Sequence, residues 1–376
     1  MTVDTNMPTK DEPFIPQMEP WIGEEERAAV DAYMASAGWI TEFRNTEKFE
    51  LLVAQYCGVC HAIAVNNGTI SLTLAAMALG IGPGDEVIVP NYTMIATPNS
   101  VKMIGATPVF VDVEKETLCM DVEKAAAAIT PRTKAIFYVD INGRYPVTGI
   151  DALINLCRDR RIAFVEDAAQ ALGSRYPDGI HMGTKGIIGS LSFSSPKIIT
   201  TGQGGMLLTN DDEMAAKLRR LKDFGRTRGG NDIHNSIGFN FKFTEPQACI
   251  GIAQMGKLSW RVARKKELWW RYHDGLAGIP HVRFFDMDMT NCVPWFFDIL
   301  AEDRDGLQSH LKEYGIGSRL MYPPINAQLC YDVKGNFPVS TNIGVHGLWL
   351  PSAVQLTDAQ VDRVCAAVGR YYKKKI

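Results

Sequence analysis

Short apolar runs alternate with helix-forming stretches along the first two-thirds of this chain, and that alternation demands a layered α/β fold. Strands are predicted at Ala62–Val65, Glu86–Val89, Thr107–Val113, Lys134–Val139, Ile162–Val165 and Gly205–Thr209. Between them lie helices over Ile70–Leu79, about Met94–Ile104, Asp121–Ile129, Ile150–Arg160 and Asp211–Phe224. Past about residue 256 the pattern changes to a long polar, aromatic helix over Leu258–Leu276 and then a smaller mixed region. The last helix opens on Thr357-Asp-Ala-Gln360, a capping-box sequence, and Val361, Val364 and Val368 give it an apolar face. Lys373–Lys375 fall where a helix C-terminus favours positive charge. A chain of 376 residues exceeds what one hydrophobic core serves. The expected division is an N-terminal segment 1–20, a large domain 21–255 and a small C-terminal domain 256–376.

Composition excludes several classes. Hydrophobic content of 46% and charged content of 22% are those of a globular protein. The net charge of −3, with both signs interspersed, offers no nucleic-acid surface. No apolar run is long enough to span a membrane, and residues 1–20 lack the basic start and apolar core of a signal peptide, so the cytoplasm is expected. The eight scattered cysteines read as reduced, small buried residues rather than a disulfide framework. Cys57-Gly-Val-Cys60-His61 has the spacing of a haem-attachment or redox motif. However, haem attachment requires export, and one CxxC pair cannot complete a tetrahedral zinc site.

The chemistry concentrates around Lys197, in Ser192-Phe-Ser-Ser-Pro-Lys197-Ile-Ile-Thr-Thr-Gly202-Gln-Gly-Gly205. An amine among apolar and hydroxyl side chains loses hydration, which lowers its pKa and makes it nucleophilic toward aldehydes. Upstream, the run Ile162–Val165 ends in Glu166-Asp167. An acid at a buried strand end and a lysine at a nearby one are what pyridoxal phosphate requires. The lysine forms a Schiff base, and the carboxylate keeps the ring nitrogen protonated. Taken without Lys197, Asp167 fits a helix cap before Ala168 equally well.

The cofactor's phosphate needs backbone N–H groups, hydroxyls and preferably a helix start. Asn67-Gly68-Thr69, between a strand and a helix, supplies all three, although the same residues also suit a plain cap. The Ser192 hydroxyl either reaches the phosphate or is an ordinary strand serine, and Gln170 either bonds the ring hydroxyl or faces solvent.

The segments Val165-Glu-Asp-Ala-Ala-Gln170, Ser192-Phe…Lys197 and Thr200-Thr-Gly-Gln-Gly-Gly205 resemble the DegT/DnrJ/EryC1/StrS family of sugar aminotransferases. So do Asn67-Gly68-Thr69, Gly82-Pro-Gly-Asp-Glu-Val-Ile-Val-Pro90 and His234-Asn-Ser-Ile-Gly-Phe-Asn240-Phe-Lys242, and the similarity runs from about Trp21 onward. The resemblance implies a fold-type I aminotransferase, with a large domain built on a mostly parallel sheet flanked by helices and a smaller C-terminal α/β domain. It implies a cofactor Schiff base at Lys197, a ring-nitrogen contact from Asp167 and a ring-hydroxyl contact from Gln170. Phosphate contacts would come from Gly68, Thr69 and Ser192. It also implies a homodimer with shared active sites, in which Asn240 reaches the partner's cofactor phosphate.

Members often carry an aromatic residue over the cofactor ring where this chain has Met94, with Tyr92 two residues away. The His-x-Tyr-Gly of the family is Asp140-Ile-Asn142-Gly143 here, and Asn326 stands where a histidine is frequent; these three positions are expected to border the substrate.

The activity so implied is transfer of an amino group from L-glutamate to a keto group of a nucleotide-linked deoxysugar, of the GDP-4-keto-6-deoxymannose kind. Arg226, Arg228, Lys242 and Arg319 are candidates for meeting a diphosphate or a carboxylate. The alternatives are a non-nucleotide ketone such as a cyclitol or small phosphorylated ketone, a sister sugar dehydratase, and a cofactor-binding regulator without turnover. In the dehydratase, histidine replaces this lysine.

Overall fold

The computed structural model describes residues 13–227 and 232–373. Two helices, α1 (Glu24–Ala35) and α2 (Arg44–Cys57), precede the first strand β1 (His61–Val65). Neither helix is predicted above. α1 lies mostly in solvent, and the one side chain it buries is Glu26, which accepts a hydrogen bond from the Gly23 N–H at 2.7 Å. There follow α3 (Gly68–Ala78), β2 (Glu86–Pro90), α4 (Ala96–Met103), β3 (Thr107–Val111), α5 (Val122–Ala127) and β4 (Thr133–Val139). Next come α6 (Ile150–Arg160), β5 (Ala163–Asp167), β6 (Ile188–Ser192), β7 (Gly205–Thr209) and α7 (Asp212–Lys222).

The seven strands form one sheet in the order β1-β7-β6-β5-β4-β2-β3, and only β7 runs against the rest. Both faces are covered, so β2 and β7 are buried along their whole length and read as continuous apolar runs. Because β1, β4, β5 and β6 point the same way, Val65, Val139, Asp167 and Ser192 end at one edge. In open α/β sheets that edge is where ligands bind.

α8 (Glu245–Gly256) and α9 (Leu258–Leu276) lead to a second, antiparallel sheet. Its strands are β8 (Val282–Phe284), β9 (Phe297–Ala301), β10 (Arg319–Leu320) and β11 (Gly347–Leu350), in the order β10-β11-β9-β8. α10 (Arg304–Glu313), α11 (Pro338–His346) and α12 (Asp358–Lys373) complete the chain. The α12 capping box forms as its sequence requires, with Thr357 N–H donating to Gln360 Oε1 at 2.9 Å and Gln360 N–H to Thr357 Oγ1 at 3.2 Å. Its valines pack with Leu268, Tyr272 and Leu276 of α9 over Phe297 and Leu348, and each such buried side chain contributes about 1.5–3 kcal/mol. Of the terminal lysines, Lys374 and Lys375 lie outside the described residues. Residues of the N-terminal segment belong to this second layer: Ile15 is fully buried and bridges to Ile316.

Six cysteines are buried as expected, whereas Cys60 and Cys330 are exposed. His61 pairs with Asp212 at 2.7 Å, and no group of metal-ligating side chains occurs among the described residues. Among them, no helix is long and apolar enough to cross a membrane.

The two sheets are joined by buried polar contacts. Arg144, just past β4, makes a two-pronged ion pair with Asp298 of β9 at 2.6 and 2.7 Å, and both side chains are almost fully buried. A pair desolvated this completely costs most when one partner is lost, because the other charge is then stranded. Asp298→Ala should lower stability by about 3–5 kcal/mol, while Arg144→Met combined with Asp298→Leu should lose far less. Denaturant midpoints with unchanged slopes would check this. Equal losses in the single and double variants would refute the stranded-charge account.

Candidate active site

The strand ends described above open into a cavity of about 510 Å³. On one wall α3 begins. Asn67 caps it by accepting the Ile70 N–H at 2.9 Å, which leaves the N–H groups of Gly68 and Thr69 without intrahelical acceptors. Gly68 is pressed against Ser192: a Cβ there would lie 2.9 Å from the serine Cβ. At the neighbouring strand start, a Cβ on Gly205 would meet the Asn67 carbonyl oxygen at 2.4 Å. Glycine at these two points lets the helix start, β6 and β7 converge. The result is a cradle of free N–H groups and the Thr69 and Ser192 hydroxyls, which suits a phosphate.

Beyond Ser192 the chain turns back on itself, with the Lys197 N–H donating to the Ser194 carbonyl at 2.9 Å, and this sets Lys197 into the cavity wall. Although the residue borders the opening, loss of hydration brings its amine down to about 8. Asp167 opposes that change and the Arg319 cation adds to it. Asp167 closes β5. One of its oxygens accepts the Thr97 hydroxyl at 2.7 Å and the other the Ala169 N–H at 3.2 Å. This is not a helix cap, since no helix follows. Burial raises its carboxyl above the ordinary range, while the Thr97 and Ala169 hydrogen bonds and Lys197 hold it down.

Gln170 is buried at the same wall, and its Oε1 is occupied by the Asn142 N–H at 2.8 Å, so its amide N–H groups remain to donate. Gly68, Thr69, Met94, Asp167, Gln170, Ser192 and Lys197 all line this one cavity. Met94 is 45% exposed at its surface, whereas Tyr92 is buried away from it at 1%.

Asn240, expected at the partner's phosphate, is exposed outside this chain's own cavity and bridges to Asp223 through its backbone. Other expectations are corrected. Arg226 pairs with Asp223 and Asp232, and Lys242 with Asp223, so of the three described cations among those proposed for anions only Arg319 lines the cavity. Arg228 lies outside the described residues. Asp140, Asn142 and Asn326 do not border the cavity either. Asn142 sits in the left-handed region, at φ 53°, which asparagine tolerates well. There its side chain grips Phe296 like a strand neighbour, accepting that residue's N–H at 2.8 Å and donating to its carbonyl at 2.9 Å. Asn326 is tied to Asn91 and Val333.

Asp140 is part of a buried polar chain behind the site. The Tyr176 hydroxyl lies 2.8 Å from Asp140 and 2.6 Å from Glu166, and Glu166 also accepts the N–H groups of Gly183 and Gly186. One hydroxyl hydrogen cannot serve two carboxylates, and the second Asp140 oxygen has no partner. Asp140 accepts fewer hydrogen bonds than Glu166 and is therefore the one of the two that holds a proton more readily. Burial and the Glu166 charge push its pKa well above the carboxylate range.

The sequence reading missed Trp295. It enters the cavity from just before β9, nearly a hundred residues from Lys197, and in sequence it looks like one more apolar residue ahead of a strand. Tyr322, quoted above only as part of a proline-rich turn, also lines the cavity.

A nucleophilic lysine, a buried acid and an anion-binding helix start, gathered at the carboxyl edge of a mostly parallel sheet, define a pyridoxal-phosphate-dependent aminotransferase. The chain belongs to the DegT/DnrJ/EryC1/StrS aminotransferase family, whose profile matches residues 20–369. It is 39% identical over 346 residues to a GDP-perosamine synthase of Caulobacter vibrioides, covering 88% of this chain and 91% of that protein. To a GDP-perosamine synthase of Escherichia coli O157:H7 it is 35% identical, over 96% of this chain and 100% of the relative. Among solved structures, DesV of S. venezuelae in complex with a ketimine intermediate superimposes with a TM-score of 0.88 at 33% identity, over 96% of this chain and 99% of that one. Pyridoxal phosphate is the cofactor, and the cradle at Gly68 and the acid at Asp167 fit it.

The amine's lowered pKa sets a pH dependence. Below about 8 the reactive neutral form falls about tenfold per pH unit. The rate at which cofactor-free protein gains a borohydride-trappable adduct on the Lys197 peptide should therefore climb with pH and level off above about 8. Lys197→Ala should lack both adduct and transamination. An adduct mapped to another lysine would refute the assignment.

Proposed function

We propose that this enzyme converts a keto group of a nucleotide-linked deoxysugar, of the GDP-4-keto-6-deoxymannose kind, to an amine, with L-glutamate as the amino donor. The observation that carries the chemistry is the convergence of Lys197, Asp167 and the α3 start on one cavity. The similarity to GDP-perosamine synthases over most of the chain supports the substrate class. A non-nucleotide ketone is not favoured by these relatives, and the three departures that kept it open do not themselves line the cavity.

Pyridoxal phosphate, when bound, supplies a carbonyl that condenses with amines and a ring that accepts the electron pair released at the donor carbon. The chain's own residues do the rest. Gly68, Thr69 and Ser192 hold the phosphate, with the positive end of α3 behind them. Asp167 keeps a proton on the ring nitrogen, and Gln170 donates to the ring hydroxyl. Met94, at the cavity surface, would cover the ring in place of an aromatic side chain. The freed Lys197 amine would carry the proton from the donor's α-carbon to the cofactor's imine carbon, across the intervening nitrogen, and would run the reverse sequence on the sugar ketone. Arg319 meets the donor carboxylate or the nucleotide diphosphate.

In this reading residues 21–255 form the cofactor domain and 256–376 the small domain. Two copies complete each other's sites, with Asn240 reaching the partner's phosphate from its exposed position. The cysteines of the described residues are unpaired, which suits the cytoplasm.

The test is a panel of aminosugar nucleotides run backward with 2-oxoglutarate. A GDP-linked 4-amino-6-deoxysugar should be consumed with formation of glutamate. Turnover confined to amines without a nucleotide would overturn the substrate assignment while leaving the aminotransferase chemistry intact.

A further inference from the structure

We propose that the indole face of Trp295 is the resting place and counter-group of the Lys197 amine whenever that amine is free of the cofactor, making Trp295 a positioning residue for the proton transfers. The inference rests on Lys197 being the cofactor lysine. Its Nζ lies 4.1 Å from the centroid of the indole. Among the described residues it has no hydrogen-bond acceptor and no carboxylate at ion-pair distance, so Asp167 acts on it only through space.

During turnover the amine must become an ammonium and then give the proton up again. An ammonium in a site this dry needs something to offset its lost hydration, and the negative face of an indole is the strongest aromatic partner available. It does so without accepting the proton, which a carboxylate at that spot would do.

The indole is held still for this task. Its ring N–H donates to the Pro196 carbonyl at 2.7 Å, so it grips the residue adjoining the lysine. Its own carbonyl accepts from the buried Lys265 amine at 2.6 Å, and Lys265 also donates to the Ser352 carbonyl. Trp349 packs edge-on at 5.9 Å. That second indole carries the other cation of the cavity, with the Arg319 guanidinium 5.4 Å over its ring. Two like charges thus share one cavity, each on its own tryptophan. The charged and titratable groups that share a cavity with Lys197 are Asp167, Arg319 and Tyr322 on one side and Glu19, Arg261 and Lys265 on the other.

Truncating Trp295 would admit water and blur the result, so the test keeps its shape. Ring-fluorinated tryptophans placed at position 295 weaken the negative face stepwise at almost constant volume. In cofactor-free protein, the protonation midpoint of Lys197 is read by trace reductive methylation across pH with peptide mass analysis. The midpoint should fall along the fluorine series, by about one pH unit in all. Trp295→Phe, which keeps a weaker ring face and loses the N–H, should lower the midpoint part of the way along that series and lower kcat. A midpoint unchanged by fluorination would overturn the proposal. Borohydride trapping with pyridoxal phosphate is run on the same proteins. An adduct on another lysine would sink the assignment of Lys197 and the proposal with it, a failure that the methylation series does not mimic.

Discussion

Everything at this site follows from keeping an amine and a carboxylate in a place where neither is well hydrated. Left alone, burial would neutralise both: it lowers Lys197 and raises Asp167. Each group partly restores the other's charge, and Thr97 and the Ala169 N–H add their hydrogen bonds to the acid. The sheet makes the arrangement possible. β5 and β6 are parallel neighbours, so an acid that ends one strand and a turn that follows the other arrive at the same edge. α3 arrives there too, because β1 runs in the same direction two strands away.

The cavity lies where the second sheet meets the first, and polar groups hold that seam. Asn142 clasps Phe296, Arg144 engages Asp298, and Lys265 draws the Trp295 and Ser352 carbonyls together. Apolar packing alone would tolerate sliding between the layers. Directional bonds with buried partners fix their relative position, at the cost of stranding a charge or an amide if one is broken. Gln170 is oriented through the same seam, since the residue that occupies its oxygen is the one that grips Phe296.

Most of the layered fold was legible because short buried strands and amphipathic helices leave periodic signatures. The limits of Ile150–Arg160, Gly205–Thr209 and Leu258–Leu276 agree with the structure. α1 was not legible, because a helix that buries little but one glutamate carries no apolar stripe. In the site, Lys197, Asp167, Gly68, Thr69 and Ser192 stood out because their chemistry is written in local motifs. Trp295 did not, since its importance comes from a neighbour nearly a hundred positions away. Asp140 and Asn142 were visible as departures from a pattern but were given the wrong surroundings. Only the packed structure shows that one sits in a buried polar chain and the other clasps a backbone.

The run from Asp140 through Tyr176 to Glu166 has a thermodynamic corollary. Asp140 holds its proton more tightly in the folded chain than in the unfolded one, so between the ordinary carboxylate range and its elevated pKa forming the native state draws a hydrogen ion from the medium. That contribution to stability is whole at low pH and fades as alkalinity rises through the acid's elevated pKa. Lys197 works in the opposite sense, because between about 8 and the ordinary lysine range the unfolded chain holds the extra proton. Each group therefore makes the calorimetric heat of folding depend on the ionisation enthalpy of the buffer, and the two contributions carry opposite signs.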